Sequence, residues 1–363
     1  MIRHGLSTSN VRKRCQGSSD ASLLTEEGRQ AARLTGEALR DVKFAAVFTS
    51  PLRRALETAQ NLSLAWPHPS PGISVDSRLK EISLQDWEGL SFESIADHFP
   101  WQYGIWKSAP HLFCQRSAAG AVRFPVTELF ECARSFLSEV ATALAGKRAL
   151  VVTHGGTGRA LILSALGVGP EWFNSIQQSN LGLTVIGLPN AVSRQASLEV
   201  LNATPHLGSA PPKLKAGRSG LRLVLQAVEE GDGSEPARLH RISRGCRLDP
   251  GNMTGGPELL VSGSESVLAW ILRAIDDRED TSLETLLAQA APALLTPILS
   301  RVFRVDQRFL AGLRLRAGTF TVLHYPGSSG APILQTANVW LSDSGADRRG
   351  PASACVPKGS ELC

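Results

Sequence analysis

The sequence lacks several features that would indicate particular classes of protein. It contains no run of about 18 apolar residues, so we expect no membrane span and no membrane partner. It contains no module of interleaved basic and aromatic residues, so we expect no nucleic-acid partner. Hydrophobic residues make up 42% and charged residues 20% of the 363 residues. This composition indicates a soluble globular protein, and the length suffices for two ordinary domains.

The sequence also lacks the usual signs of a bound metal ion or cofactor. No two of the six cysteines form a C-x-x-C pair, which argues against a zinc site and for a reduced, cytoplasmic compartment. There is no P-loop and no Asp-rich cluster for magnesium. We therefore expect no cofactor and no metal. The net charge of +5 is compatible with a small anionic substrate.

Strand and helix patterns alternate from the start of the chain to about residue 205. In FAAVFTSPLRRALETAQNLSLA, residues 44–48 are apolar and β-prone, Ser50 can cap a helix, and Pro51 suits the first helical turn. The stretch KRALVVTHGGTGRALILSALG predicts a buried strand from Ala149, a Gly-rich turn and a helix that reaches Gly167. Such alternation predicts an α/β fold with a mostly parallel sheet.

Four basic side chains stand where three of these strands end. Arg3 and His4 follow the apolar start, Arg54 lies in the first turn of the helix after strand 44–48, and His154 ends strand 149–153. Because ligands bind beyond the carboxyl ends of parallel strands, we expect these side chains to meet in one pocket. Two guanidinium groups and two imidazoles suit a phosphoryl dianion. One histidine can attack phosphorus, and a carboxylic acid is then needed to protonate the leaving oxygen.

The segments RHGLSTSN, SPLRRALETA, LKEISLQDWEGL and VVTHGG resemble the four signatures of the histidine phosphatase (phosphoglycerate mutase-like) superfamily, over about residues 1–205. The resemblance implies a three-layer αβα fold and a His4 that becomes phosphorylated. It implies that the phosphoryl oxygens are held by Arg3, Arg54 and His154. It places the proton donor at Glu81, with Glu88 as the nearest alternative. The positions that line the phosphate pocket correspond to Ser7, Asn10, Gln16, Gly17 and Gly155.

The function we expect is that of a metal-independent phosphomonoesterase acting on a small phosphorylated metabolite through a phosphohistidine. Sugar phosphates, phosphoserine and α-ribazole 5'-phosphate remain open as substrates. A phosphoglycerate mutase is less favoured because residues 82–153 contain no long insertion, and a non-catalytic metabolite sensor is a further alternative. Residues 90–128 are expected to cover the pocket, and they offer four candidates for substrate contact: Trp101, Trp106, Lys107 and Arg116.

The second half of the chain resembles a degenerate copy of the first. The matched segments are 149–163 with 258–272, 168–177 with 305–314, 183–189 with 320–326, and 197–202 with 333–338. The first match has a different offset from the others, which predicts an insertion in the second copy. His324 has no catalytic counterpart and is interpreted as structural.

The domain organisation we predict has four parts: a catalytic domain at 1–205, a linker at 206–217, a non-catalytic copy at 218–341, and a disordered tail at 342–363. An active copy followed by a related C-terminal region resembles the two-domain histidine phosphatases of cyanobacteria and plants. The plant members are described as 2-carboxyarabinitol-1-phosphate phosphatase-like.

The strand that leads to Arg3 and His4 contains only Met1 and Ile2 before them. The resemblance places this strand in the interior of the sheet. An interior strand this short leaves main-chain groups of its neighbours unpaired, at about 1–3 kcal/mol each when buried. We therefore predict that further β-prone residues precede Met1 in the natural protein.

Overall fold

The structure of the chain is a computed structural model that describes residues 1–67, 71–117, 119–189, 195–208, 211–215, 217, 219–229, 236–242, 258–328 and 330–340. The described residues form two compact units. One contains residues 1–174 and 178–197, and the other contains residues 175–177 and 198–340. The predicted tail at 342–363 lies outside the described residues. None of the described helices is long and apolar enough to cross a membrane.

The first unit alternates strands and helices as predicted. Its elements are β1 (Ile2–Arg3), α1 (Thr8–Val11), α2 (Glu26–Ala38), β2 (Ala46–Thr49), α3 (Arg53–Ser63), β3 (Ile73–Val75), α4 (Phe92–His98), α5 (Pro100–Ser108), β4 (Gln115–Arg116), β5 (Val122–Arg123), α6 (Pro125–Ala143), β6 (Ala149–Thr153), α7 (Gly155–Ala165) and β7 (Leu183–Gly187).

Five of these strands form a sheet in the order β7-β1-β6-β2-β3. Strands β1, β6, β2 and β3 are parallel, and β7 runs antiparallel to β1. The register places Arg3 opposite Thr153, and Thr49 opposite Val152. Strands β1, β6 and β2 therefore end at the same edge of the sheet. The predicted α/β fold with a mostly parallel sheet is confirmed for this unit.

The helices lie on both faces of this sheet. The chain crosses from β1 to β3 through α2 and α3, and it returns from β3 to β7 through α6 and α7. Right-handed connections in opposite directions place the two helix pairs on opposite faces. In agreement, α2 packs against α3, and α6 packs against α7. The predicted three layers are present.

One local expectation, the helix cap at Ser50, is wrong. The helix after β2 begins at Arg53, and its N-cap is Leu52, which makes no side-chain capping bond. Ser50 lies between strand and helix, where its Oγ accepts a hydrogen bond from the Leu52 amide at 3.2 Å. Arg54 lies in the first helical turn, as predicted, and is fully buried.

The two-residue strand β1 lies between β6 and β7, and the amide of Thr184 donates to the carbonyl of Met1 at 2.9 Å. The expectation that further residues precede Met1 stays a prediction.

The second unit contains a sheet with one parallel pair. Its elements are β8 (Ser197–Ala203), β9 (Gly220–Ala227), β10 (Ala237–Ile242), β11 (Glu258–Val261), α8 (Ser264–Asp276), β12 (Leu283–Ala290), α9 (Pro292–Phe303), α10 (Gln307–Gly312), β13 (Thr319–Tyr325) and β14 (Ile333–Trp340). The strand order is β11-β10-β12-β9-β13-β14-β8, with β9 and β12 parallel and the other neighbouring pairs antiparallel.

The first strand of each unit has equivalent neighbours. Strand β1 has a parallel neighbour, β6, and an antiparallel neighbour, β7. Strand β9 has a parallel neighbour, β12, and an antiparallel neighbour, β13. The registers also agree when Ile2 is matched to Gln226. Ile2 faces Val152 and Leu183, and Gln226 faces Gln289 and Phe320, so both partners lie 137 residues further along the chain.

Left-handed backbone positions recur at the spacing that these registers define. Gly167 (φ 71°) corresponds to Arg304 (φ 51°), and Leu181 (φ 57°) corresponds to Gly318 (φ 76°). Asn202 (φ 51°) and Asn338 (φ 53°) form a further match, 136 residues apart, whereas the residues of the other two pairs are 137 apart. Because positive φ is uncommon outside glycine, this recurrence supports the correspondence between the two units.

The sequence match of 149–163 with 258–272 is wrong. Strand β11 lies at the sheet edge and pairs antiparallel with β10, whereas β6 pairs parallel with the first strand of its unit. Strand β12 pairs parallel with β9 as β6 does with β1, and α9 follows β12 as α7 follows β6. The predicted insertion is therefore not needed. An apolar strand followed by a helix is a common pattern, and periodicity alone does not distinguish two such segments within one unit.

Candidate active site

Two histidines meet at the edge where β1 and β6 end. His4 follows β1 and His154 follows β6, and both side chains are buried. Their ring centroids are 5.2 Å apart with an interplanar angle of 57°. The amide of His4 donates to the carbonyl of Thr153 at 2.8 Å, which fixes the two segments side by side. The structure therefore brings the predicted pair together.

A main-chain contact determines which nitrogen of His4 carries the proton. Nδ1 of His4 lies 2.8 Å from the carbonyl oxygen of Gly5. A carbonyl oxygen only accepts hydrogen bonds, so Nδ1 must be the donor. The neutral ring therefore keeps its lone pair on Nε2, the nitrogen suited to nucleophilic attack.

Arg54 is held by a loop of the first unit. Its Nη1 donates to the carbonyl of Ser19 at 2.7 Å, and its Nη2 donates to the carbonyl of Gly17 at 2.9 Å. Its Nε is buried and has no hydrogen-bond partner among the described residues. Burial lowers the pKa of Arg54, while the negative charge of Glu81 opposes this effect.

Arg3 and His154 lie in the same positively charged environment as Arg54. Burial lowers the pKa of Arg3 to about 10, against the effect of Glu81 and together with the charges of Arg159 and Arg54. The pKa of His154 is well below its ordinary value, first because of burial and then because of the nearby charges of His4, Arg54 and Arg3. A cluster in which cations depress one another's pKa is arranged to receive an anion.

Ser50 orients His154. Nε2 of His154 lies 2.7 Å from Oγ of Ser50, which also accepts the hydrogen bond from Leu52. Nδ1 of His154 is buried and has no partner among the described residues. The sequence pattern indicates a helix cap at Ser50 and gives no sign of this contact.

The carboxylate of Glu81 lies at the N-terminus of α7, the helix that begins directly after His154. Its Oε2 accepts from the Gly156 amide at 3.1 Å. Its Oε1 accepts from the amides of Ile82 and Thr157 at 3.0 and 3.1 Å, and from Oγ1 of Thr157 at 3.3 Å. The carboxylate is thus fixed beside the histidine pair and benefits from the helix dipole.

Glu88 has a different place. Its Oε1 accepts from the amide and the hydroxyl of Ser18 at 2.7 and 3.1 Å. A Cβ atom at Gly17, where φ is 49°, would lie only 2.2 Å from this oxygen. Glu88 therefore fixes the loop whose Gly17 carbonyl binds Arg54. This geometry favours Glu81 over Glu88 as the acid.

Ser7 and Asn10 close the first turn of α1. The Ser7 amide donates to Oδ1 of Asn10 at 3.2 Å, and the Asn10 amide donates to Oγ of Ser7 at 3.4 Å, which makes a capping box. Oγ of Ser7 also lies 3.0 Å from both Asn10 Oδ1 and Gln16 Oε1, so its single proton serves one of them at a time. The predicted pocket residues Ser7, Asn10 and Gln16 are thus together, and their contact with substrate stays a prediction.

Asn180 connects Asn10 to the segment that contains the nucleophile His4. This residue is not predicted from the sequence. Its Nδ2 lies within hydrogen-bond distance of three acceptors, the carbonyls of His4 (2.9 Å) and Gly5 (3.1 Å) and Oδ1 of Asn10 (3.0 Å). The only signal in the sequence was the segment SIQQSNLGLTVI, which resembles the two-domain family members. Its function could not be assigned from that segment alone.

The residues expected to cover the pocket differ in their surroundings. Trp106 is half-buried and packs on Trp87, Phe113 and Phe173 with centroid distances of 5.6, 5.3 and 5.6 Å. Trp101 is 79% exposed. Arg116 is exposed and donates to the carbonyl of Gly120 at 3.2 Å. Substrate contact by these residues and by Lys107 stays a prediction.

Gly155 is the first residue of α7, and a Cβ atom there would lie 3.5 Å from Cζ of Arg3. Within the described part of the chain, no three His, Cys, Asp or Glu side chains are grouped so that they could hold a metal ion. Independence from metal ions stays a prediction.

Comparison with known proteins agrees with this geometry. Residues 1–200 match the histidine phosphatase superfamily, branch 1. A probable 2-carboxy-D-arabinitol-1-phosphatase of Arabidopsis thaliana is 32% identical over 246 residues, which are 67% of this chain and 49% of that protein. The 2-carboxy-D-arabinitol-1-phosphatase of Triticum aestivum is 32% identical over 258 residues, 70% of this chain and 50% of that protein. The chain therefore spans about half the length of these curated relatives.

A solved structure is also similar to this chain. Bacillus stearothermophilus YhfR is 30% identical and superposes with a TM-score of 0.50, covering 57% of this chain and 96% of its own. The family match covers more than half of the chain, and the predicted resemblance is confirmed: the chain belongs to the histidine phosphatase superfamily.

Proposed function

We propose that this protein is a phosphomonoesterase that hydrolyses a small phosphorylated metabolite through a phosphohistidine at His4. The observation that carries the proposal is the contact of His4 Nδ1 with the Gly5 carbonyl, which leaves the lone pair on Nε2. His4 lies beside His154, and the site also contains the buried Arg54 and the half-buried Arg3. The similarity to proteins named 2-carboxy-D-arabinitol-1-phosphatase supports a phosphatase.

In the first step, Nε2 of His4 attacks phosphorus and the ester P–O bond breaks. The leaving oxygen takes a proton from Glu81, which must be in its acid form at this point. Arg3, Arg54 and His154 bind the phosphoryl oxygens and neutralise the charge that grows on them, so this step uses side chains of the chain itself.

In the second step, Glu81 accepts a proton from water, the oxygen attacks phosphorus, and the P–N bond breaks. The electron pair of that bond returns to Nε2 of His4, and inorganic phosphate leaves. Glu81 regains the acid form, so the cycle is balanced without a further reactant. The hydrogen bond from Nδ1 of His4 to Gly5 keeps the ring in the same orientation in both steps.

The second unit is proposed to carry no reaction. By the register of the strands, Ala227 and Val228 correspond to Arg3 and His4, and Ala291 corresponds to His154. These three residues of the first site thus have small or apolar counterparts. This supports the predicted non-catalytic copy at 218–341. The cytoplasmic location stays a prediction from the spacing of the cysteines.

The experiment that tests the proposal uses the full chain and its His4→Ala variant. A set of phosphorylated metabolites is screened for released inorganic phosphate, and single turnovers with ³²P-labelled substrate are quenched in base, where phosphohistidine survives. We expect label on the wild type only and no residual turnover in the variant. Turnover or labelling in His4→Ala would refute the assignment. Transfer of the phosphoryl group back to the organic product, without phosphate release, would indicate a mutase instead.

A further inference from the structure

The hydroxyl of Ser50 gives information about the protonation of His154. Nε2 of His154 lies 2.7 Å from Oγ of Ser50, and both side chains are fully buried. The same Oγ accepts a hydrogen bond from the Leu52 amide at 3.2 Å. Two arrangements are compatible with these distances: either Ser50 donates to Nε2 of His154, or a protonated Nε2 donates to Ser50.

The two arrangements differ in where the hydroxyl proton of Ser50 goes. Among the described residues, Oγ of Ser50 has two hydrogen-bond partners, and one of them, the Leu52 amide, is itself a donor. Nε2 of His154 is therefore the partner that can accept the hydroxyl proton. If Nε2 donated instead, that proton would be buried without an acceptor, which disfavours the arrangement about 5-fold to 150-fold. The geometry thus favours Ser50 as the donor.

The neutral ring that accepts at Nε2 carries its proton on Nδ1. Nδ1 of His154 is buried and has no hydrogen-bond partner among the described residues. This tautomer is the opposite of that of His4, whose Nδ1 lies 2.8 Å from the Gly5 carbonyl and whose lone pair is on Nε2. The two histidines therefore differ in what they offer a phosphoryl group: His4 has a lone pair that can attack, and His154 has a proton that can be donated.

A neutral His154 suits the attack by His4 better than a charged one. The two ring centroids are 5.2 Å apart, and a positive charge on His154 would lower the basicity of the His4 lone pair. Burial and the charges of Arg54 and Arg3 hold the pKa of His154 well below its ordinary value, in agreement with a neutral ring. The two guanidinium groups supply the positive charge that the phosphoryl group needs.

We propose that Ser50 is a positioning residue that holds His154 in the neutral tautomer with its proton on Nδ1, from which His154 donates to a phosphoryl oxygen. The donation to phosphate rests on the proposed function, whereas the tautomer is a property of the free protein. Protonation of Nε2 would turn the hydroxyl proton of Ser50 away. Ser50 therefore also opposes the charged form of His154, which a bound dianion favours at low pH.

A purely structural role would account for only part of this contact. The hydrogen bond from the Leu52 amide fixes the chain before α3, and it requires only an oxygen at position 50. It does not require a histidine nitrogen at 2.7 Å from the same oxygen. The tests below therefore measure the protonation of the ring and not stability alone.

The tautomer is measured by NMR on the full chain labelled with ¹⁵N-histidine. Correlations between ring protons and ring nitrogens distinguish a protonated from an unprotonated nitrogen, because their ¹⁵N shifts are widely separated. The signals of His154 are those that disappear in His154→Gln. At pH 8 we expect a protonated Nδ1 and an unprotonated Nε2, in the free protein and in its vanadate complex. A proton on Nε2 in either state would overturn the inference.

Variants then show whether Ser50 sets the tautomer. Ser50→Ala removes the donor and should raise the ratio of the Nε2-protonated to the Nδ1-protonated ring about 5-fold to 150-fold. Thr153→Val is the matched control, because the Thr153 hydroxyl is equally buried, directly precedes His154 and donates to the Leu79 carbonyl at 2.8 Å. It should leave the ratio unchanged. If Ser50→Ala folds poorly, Ser50→Cys, a weaker donor of similar shape, should raise the ratio by a smaller factor. An unchanged ratio, or an equal change in Thr153→Val, would contradict the role of Ser50.

Vanadate binding gives a readout that a structural defect alone would not reproduce. Dissociation constants are measured between pH 6 and pH 8.5 in the His4→Ala background, with and without Ser50→Ala. Above pH 7.5 the Ser50→Ala protein should bind more weakly, because part of its His154 rings carry no proton on Nδ1. The difference should shrink towards pH 6, where the charged ring carries a proton on both nitrogens. A loss of affinity that is the same at every pH would mean that Ser50 only supports the structure.

The outcomes separate this inference from the proposed function. The tautomer of the free protein is measured without substrate, so absence of a labelled phosphoenzyme would refute the proposed function and leave the measured tautomer in place. Conversely, a His154 with its proton on Nε2 would overturn the inference about Ser50, and the phosphoenzyme experiment on His4 would still decide the proposed function.

Discussion

The position of the Glu81 carboxylate can be tested by adding one methyl group to α7. A Cβ atom at Gly156 would lie 2.6 Å from Oε1 of Glu81 and 3.3 Å from Cγ2 of Ile82. Contacts under 3.0 Å are not tolerated, and the carboxylate is the flexible partner, so Gly156→Ala should displace it by somewhat less than 1 Å. A Cβ atom at Gly158, on the same helix, would lie 3.5 Å from Gln178, which is ordinary contact. The pair Gly156→Ala and Gly158→Ala is therefore matched.

The expected magnitude follows from the cost of misplacing a catalytic group. A displacement of about 1 Å reduces rates by about 10²-fold, which is about 2.7 kcal/mol of barrier. Replacement of glycine by alanine inside a helix otherwise stabilises it by about 1 kcal/mol. Gly156→Ala should thus lower the rate of phosphoenzyme formation from an alkyl phosphate about 100-fold. Gly158→Ala should keep the wild-type rate and unfold at a slightly higher temperature.

The assay is a single turnover with glycerol 3-phosphate and with p-nitrophenyl phosphate. The nitrophenolate leaves without protonation, so the loss in phosphoenzyme formation should be much smaller with that compound. Thermal unfolding is measured in parallel to exclude a general loss of structure. If Gly156→Ala reacts at the wild-type rate with the alkyl phosphate, or if Gly158→Ala is equally impaired, the assignment of Glu81 as the proton donor is refuted.

Four further variants test the other contacts of the site. Glu81→Gln should lower kcat about 10²–10⁴-fold with little change in phosphate affinity. Glu88→Gln should mainly raise KM, because it loosens the loop that holds Arg54. Steady-state kinetics that show the reverse pattern would mean that Glu88 is the acid. A lysine at position 54 cannot make both hydrogen bonds of the guanidinium group, to the carbonyls of Ser19 and Gly17. Arg54→Lys should therefore weaken inhibition by vanadate about 10-fold or more, measured by titration; unchanged inhibition would contradict the proposed role of Arg54. Asn180→Leu removes the donor to the carbonyls of His4 and Gly5, so it should lower the free energy of unfolding, measured with urea, by about 1–3 kcal/mol. An unchanged free energy of unfolding would contradict the stabilising role of Asn180.

The sequence predicts the positions of the charged residues well because they follow strands. Residues that directly follow parallel strands meet at one edge of the sheet, so the sequence alone suffices to place His4 and His154 together. The adjacent strands β1 and β6 bring them to a centroid distance of 5.2 Å. The same reasoning predicts the place of Arg54 in the first turn of α3.

The contacts that orient these residues are not visible in the sequence. Ser50 has the residue type and position of a helix cap, and only the approach of β6 to β2 shows that its hydroxyl meets His154. Asn180 lies far along the chain from His4, and it reaches the His4 carbonyl because β7 pairs with β1. Pairing between distant strands depends on tertiary packing, which local patterns do not encode.

The internal match shows a second limit. The segment 258–272 has the apolar pattern of 149–163, but β12 and α9 occupy the equivalent place. Hydrophobic periodicity gives the type of an element and not its neighbours in the sheet. The correct counterpart follows from the register with β9 and from recurrent left-handed residues, such as Gly167 with Arg304.

The pKa of His154 makes a last prediction about pH. In the unfolded chain its pKa is about 6.5, and in the folded protein burial and the nearby cations lower it well below that value. Below pH 6.5 the unfolded state therefore binds a proton that the folded state does not bind. The group contributes stability above pH 6.5, and that contribution falls by up to about 1.4 kcal/mol per pH unit as the pH decreases.

A bound dianion should reverse this dependence. With vanadate or phosphate in the pocket, negative charge favours the protonated form of His154, so the folded state gains the proton and the ligand stabilises more strongly at lower pH. Urea unfolding between pH 5.5 and 8, with and without vanadate, measures both slopes. His154→Gln is the control, because carboxylates titrate in both proteins and only the difference between them reports the imidazole. If the wild type and His154→Gln lose stability in parallel below pH 6.5, and if vanadate stabilises both equally at every pH, His154 is not the group that responds to the phosphoryl charge.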